Sequence, residues 1–183
     1  MGNFKRISHK VAYCGIICAL AVMIMLISLI PGFAYAVPAV SGIFIWSICF
    51  FISYKWALLS FAASSLLLLI LLPHSVEANI VYIAFFGYYP IIRDKLVVIK
   101  SIVLRFFAKL LVFNAACVAA FQVITIFIEV EKVLEGMERF GDLAVFVFWG
   151  TANIAFFCYE FCLSQLQYAI EKWLKPKFLK RIK

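Results

Sequence analysis

Between Lys10 and Lys55 the chain runs 44 residues without a charged side chain, interrupted only by Pro31-Gly32 and Pro38. A membrane span needs about 20 predominantly apolar residues, so this interval predicts two transmembrane helices joined by a short loop. Composition agrees. Hydrophobic residues make up 67% of the 183 positions and charged residues 14%, against roughly 45–50% and 25% in soluble domains. That excludes an ordinary soluble enzyme. A mean hydropathy of +1.08 excludes disorder, because so apolar a chain must bury its surface in something.

The intervals between charges give the remaining spans. Residues 56–76 form a third uncharged run, closed by Pro73, His74 and Ser75, and residues 78–92 a fourth. The fourth is short: it crosses only if Val76 and Glu77 join its outer turn or if protein shields it. Residues 110–128 give a fifth, extended inward over Phe106 and Lys109, and a sixth begins at 143 and continues past Glu160 to about 170. The predicted fold is an all-α integral membrane protein, one membrane domain over 1–183, with six transmembrane helices near 11–30, 38–54, 56–72, 76–92, 106–128 and 143–170.

Six spans place both termini on one side, and charge chooses the side. Lys5, Arg6, Lys10, Lys55, Arg93, Lys95, Lys100, Arg105, Lys109, Lys172, Lys175, Lys177, Lys180, Arg181 and Lys183 fall together, 15 of the 17 basic residues. Lys132 and Arg139 fall opposite, in a loop with Glu129, Glu131, Glu135, Glu138 and Asp142. The positive-inside rule then predicts cytoplasmic N- and C-termini in a bacterial plasma membrane. Ala34-Tyr35-Ala36 imitates a signal-peptidase site, but the apolar stretch 11–30 is too long for a signal peptide, and cleavage is not expected.

Catalytic chemistry finds no support in the residues. There is no H-E-x-x-H, G-x-S-x-G or phosphate-loop motif, and the two histidines, His9 and His74, lie far apart. No enzyme, metal or cofactor is predicted. The six cysteines fall in apolar runs and read as small buried residues, with Cys14/Cys18 and Cys158/Cys162 each stacked at i, i+4. Within the membrane, Asn114, Asn153 and Glu160 are costly unless paired, and Lys109 is placed to meet Glu160, as a structural pair or a functional one.

The candidate substrate site is an outer cluster of Tyr35, His74, Glu77, Asn79, Tyr82, Gln122, Thr125, Trp149 and Asn153, with Ser75 and Thr151 nearby. Aromatic faces with a few polar groups suit a small-molecule pocket, although interfacial Tyr and Trp account for part of the pattern. Ala12, Gly15 and Ala19 lie close to one stripe of the first helix, a small-residue surface that lets another helix approach, within the fold or from a partner.

This pattern resembles the substrate-binding S components of energy-coupling factor (ECF) vitamin transporters. These are six-span proteins with a small-residue A-x-x-x-A motif in the first helix, where this chain has Gly15-x-x-x-Ala19. The strings Lys55-Trp56-Ala57-Leu58-Leu59, Gly87-Tyr88-Tyr89-Pro90-Ile91-Ile92 and Lys109-Leu110-Leu111-Val112-Phe113-Asn114 look similar to a bacterial membrane-protein group loosely associated with that class. The resemblance implies capture of a vitamin or related micronutrient at the outer face. The first helix would then dock on a transmembrane coupling subunit carrying two ATPase subunits. Nucleic acid is not an expected partner. Two alternatives stay open: a scaffold for cell-envelope or division proteins, recruiting through basic cytoplasmic segments that also suit anionic lipid, and a small proton-coupled carrier using Glu160.

Overall fold

The computed structural model describes residues 6–30, 32–96, 98–127, 143–170 and 172. Lys5, the loop residues Glu129, Glu131, Lys132, Glu135, Glu138, Arg139 and Asp142, and the tail 173–183 lie outside them. Among the described residues the protein is entirely helical. Helix α1 is Ile7–Met25, continued by a 3-10 turn Leu26–Leu29; α2 is Ala36–Phe51 and α3 Tyr54–Leu71. Then come α4, Val76–Val81, a π-helical turn Tyr82–Phe86, and α5, Tyr89–Leu96. Helices α6, Ile102–Phe127, and α7, Ala144–Ala169, complete the order. Because α4, the π turn and α5 follow one another as a single broken rod over 76–96, the described residues form six rods.

Side-chain contacts fix the rod directions. Tyr13 meets Phe51 and the Ser41 hydroxyl donates to the Ala21 carbonyl, so α1 and α2 are antiparallel. Ser64 meets Tyr82 while Phe61 meets Tyr88, which sets α3 against the 76–96 rod. Phe121 meets Phe148 and Lys109 meets Glu160, which sets α6 against α7. One end of the bundle thus collects Arg6, Lys10, Lys55, Lys95, Lys100, Arg105 and Lys172. The opposite end carries Glu77 as the single formally charged side chain among the described residues.

Four rods, α1 with its 3-10 turn, α3, α6 and α7, are long and apolar enough to cross a membrane. Their outward faces are large and apolar: Ile16 and Met23, Leu66 and Ile70, Leu111 and Ile126, Phe146 and Phe161 are all exposed. In water such a surface would aggregate; against lipid tails it is the required exterior. The other two rods are the most enclosed. Helix α2, with 16 residues, is about 24 Å long, short of the roughly 30 Å hydrocarbon core. It buries Ile45, Trp46 and Ile48, and the 76–96 rod buries Tyr82, Tyr89 and Ile91. A span wrapped in protein need not match the bilayer by itself.

The fourth apolar run forms the broken rod 76–96. Val76 and Glu77 form the first turn of α4, and neighbouring rods shield the remainder. Its lower end differs from expectation, because α5 runs to Leu96 rather than stopping near Ile92, and α6 begins at Ile102 rather than 106. A span counted between charges ends at its first cation, but Arg93 is 3% exposed and fully engaged inside the bundle. The cysteine expectation holds in part: Cys14 and Cys18 are buried, Cys49 and Cys117 half-buried, and Cys158 and Cys162 exposed on the outward side of α7.

Candidate functional site

Two polar assemblies occupy the bundle. The first lies in the half toward the basic end. Tyr89 and Arg93 are four residues apart on α5; Glu160, Ser164 and Gln167 recur at i, i+4 and i+7 on α7, so each set shares a helix face. The Arg93 guanidinium donates through Nε to Glu160 Oε1 at 2.8 Å, through Nη1 to Gln167 Oε1 at 2.8 Å and through Nη2 to the Ser164 hydroxyl at 2.6 Å. The Tyr89 hydroxyl donates to Glu160 Oε2 at 2.8 Å. Lys109 from α6 donates to Glu160 Oε1, so the anticipated Lys109–Glu160 pair is made. Arg93 also faces Asp94 at 3.9 Å, whose other oxygen accepts the Trp46 indole N–H at 2.9 Å. Two cations and two carboxylates balance.

The Lys109–Glu160 pair is legible in the sequence; the part of Arg93, counted there only among the basic residues of one side, is not. The readable signal was the polar stripe Glu160/Ser164/Gln167 at helical spacing. Glu160 accepts hydrogen bonds from two cations and a phenol, the coordination of a fixed counter-ion.

One to two turns away, α6 and α7 are clipped by a reciprocal amide pair. Asn114 Nδ2 donates to Asn153 Oδ1 at 3.1 Å and Asn153 Nδ2 to Asn114 Oδ1 at 3.3 Å. Each amide also donates to a carbonyl of its own helix, Leu110 and Trp149 respectively. Interhelical polar pairs in membranes contribute about 0.6 kcal/mol on average and up to roughly 1.7. Asn153→Leu is therefore expected to lower the thermal-unfolding free energy in micelles by about 1 kcal/mol, and the double variant Asn114→Leu/Asn153→Leu by less than twice that, because the second change removes a group already left unpaired.

The second assembly lies toward the opposite end, between α1, α2, α3 and α4. Ser75, Asn79 and Tyr82 recur at i, i+4 and i+7 on the start of the 76–96 rod. The Ser75 hydroxyl meets Ser28 at 3.2 Å, Asn79 Nδ2 donates to the Leu72 carbonyl at 2.7 Å, and the Tyr82 hydroxyl meets Ser64 at 2.8 Å. All five side chains are buried, as is Ser41.

The nine expected substrate residues thus separate. Asn79 and Tyr82 belong to the buried stripe. Tyr35 lies in the loop before α2 beside Glu77, and partial burial followed by the Glu77 carboxylate push its hydroxyl up to about 12. His74 is exposed in the α3–α4 turn. On α6, Gln122 is exposed, and the half-buried Thr125 donates to the Gln122 carbonyl at 2.9 Å. Trp149 is half-buried, and Asn153 is engaged by Asn114. No hydrogen bond among the described residues joins Gln122, Thr125, Trp149 or Asn153 to Tyr35, His74, Glu77, Asn79 or Tyr82. The small stripe is clearer: Ala12, Gly15 and Ala19 all face outward, while Cys14 and Cys18 beside them turn in against α3, where the Cys18 thiol donates to the Ser60 carbonyl at 3.5 Å. A Cβ added at Gly15 would meet nothing within 4 Å.

Among the described residues no three His, Cys, Asp or Glu side chains gather as a metal site. Compared with protein families, with curated proteins and with solved structures, the chain matches none.

Proposed function

We propose that the chain is the substrate-binding component of a multi-subunit uptake system of the energy-coupling factor kind, a six-span protein of the bacterial plasma membrane with both termini cytoplasmic. It captures a small nutrient at the outer end and passes it inward through partner subunits that supply ATP hydrolysis. The observation that carries this reading is the outward-facing Ala12/Gly15/Ala19 surface. A helix places small residues where backbones must come close, and no neighbour among the described residues packs on them. A partner helix does.

The charge distribution supports the orientation, since the basic end of the bundle is the cytoplasmic end under the positive-inside rule. The buried polar stripe of α4 and the Tyr35–Glu77 pair supply hydrogen-bonding chemistry at the outer end. Glu160 is tied to Arg93, Lys109 and Tyr89, an arrangement that favours binding and docking over proton-coupled transport.

The test is the variant Gly15→Leu/Ala19→Leu, expressed in the native host. Both positions are exposed, so the bundle is expected to retain its unfolding temperature while co-purifying partner subunits fall to background. Undiminished co-purification would overturn docking through α1.

A further inference from the structure

Asn79 is 3% exposed, and its two amide functions are used unequally. Nδ2 caps the end of α3 through the Leu72 carbonyl, whereas Oδ1, fully buried, has no hydrogen-bond partner among the described residues. An acceptor left unmade in a buried place costs about 1–3 kcal/mol, and such atoms in native proteins mark strain, function or a ligand. Here the backbone offers no strain, since every residue with positive φ among those described is the single glycine Gly32.

The surroundings narrow the chemistry. Ser75 and Tyr82 lie one turn either side of Asn79 on the same face; Ser28, in the 3-10 turn after α1, meets Ser75, and Ser64 of α3 meets Tyr82. This is a wall of hydroxyls and one amide without a charge. Glu77, two residues from Asn79, points about 200° around the helix, toward Tyr35. Burying an ion among neutral groups is costly unless it is paired.

We infer that Asn79 Oδ1 is the recognition acceptor for an uncharged small molecule presenting an N–H or O–H donor, held between α1, α3 and α4 in the outer half of the bundle. This deepens the uptake reading and rests on it: a nutrient captured here is neutral and donor-bearing, and an anion or a permanent cation is excluded. The polar groups of the same buried stripe and its partners are joined in the Ser28–Ser75 and Ser64–Tyr82 hydroxyl pairs.

The experiment is mass spectrometry of the small-molecule extract from protein purified out of native-host membranes, wild type beside Asn79→Leu, with partner subunits scored in the same samples. Wild type is expected to retain a neutral, donor-bearing molecule near stoichiometry. Asn79→Leu is expected to lose it on the order of tenfold, as one buried hydrogen bond implies, while still purifying with its partners. An empty wild-type extract, water alone in the stripe, or a charged molecule would overturn the inference. Partner subunits present in those samples would leave the uptake reading standing, so the two failures are distinguishable. Should Asn79→Leu fold poorly, the wild-type extract decides alone, and Ser75→Ala, which leaves the Asn79 cap intact, provides the second comparison.

Discussion

Glu160→Gln is expected to destabilise the bundle by about 3–5 kcal/mol, the cost of breaking a buried ion pair from one side. Glu160 is the shared acceptor for α5 and α6: Arg93, with its side chain 4% exposed, and Lys109, 14% exposed, both terminate on Oε1. A neutral amide leaves those two cations against Asp94 alone, inside a low-dielectric bundle where an unmatched charge is not screened by water. The amide also presents an N–H to the Tyr89 hydroxyl, which donates to Oε2 in the native protein. Thermal or denaturant unfolding in micelles reads the loss. The double variant Glu160→Gln/Lys109→Met restores charge balance, leaving Arg93 with Asp94 at 3.9 Å, and is expected to recover part of the stability. A single variant within about 0.5 kcal/mol of wild type, the range of ordinary surface changes, would show that the assembly does not hold α7 to the bundle.

Gly42→Ala carries the second large effect. Pro90 has no N–H, so the Phe86 carbonyl four residues earlier lacks the donor that a regular helix would supply. The chain accommodates this with a π turn, in which the Gly87 N–H reaches back five residues to the Tyr82 carbonyl at 2.8 Å. The Phe86 carbonyl then lies against Gly42 on α2, in the space a side chain would take. A Cβ at Gly42 would overlap that oxygen. Backbone cannot swing aside as a flexible side chain does, so α2 must retreat from the centre of the fold. Overpacking of this kind costs about 1–3 kcal/mol and occasionally more; the upper end is expected here because α2 is enclosed by the other rods. Gly150→Ala is the matched control. It lies within α7 with nothing within 4 Å of the added carbon, and gains about 0.5–1 kcal/mol from helix propensity. Equal stability for the two variants would contradict the packing of α2 on the π turn.

What the sequence revealed follows from which physical effects are local. Charge spacing located the rods because an unpaired charge is costly on a long apolar helix, and this holds for α1, α3, α6 and α7, which are long and apolar enough to cross a membrane. The same ruler placed the end of α5 too early, because Arg93 is matched by residues some seventy positions away on α7, and no local feature announces such a partner. Gly42 and Phe86 are likewise distant in sequence. The outer cluster was assembled from residues sharing a membrane depth. Depth does not fix azimuth: Asn79 and Tyr82 turn inward, Asn153 turns to Asn114, and Gln122 turns out. The first-helix stripe was legible as a surface, but whether it packed within the fold was settled only by the position of α3 on the opposite side of α1, against Cys14 and Cys18.

The proposed binding of a nutrient and action through partner subunits is put to the test by intact-complex mass spectrometry of the protein extracted from native-host membranes. One copy of this chain with a transmembrane coupling subunit and two ATPase subunits is the expected result. Recovery of the chain alone, or with cell-envelope or division proteins in their place, would contradict it.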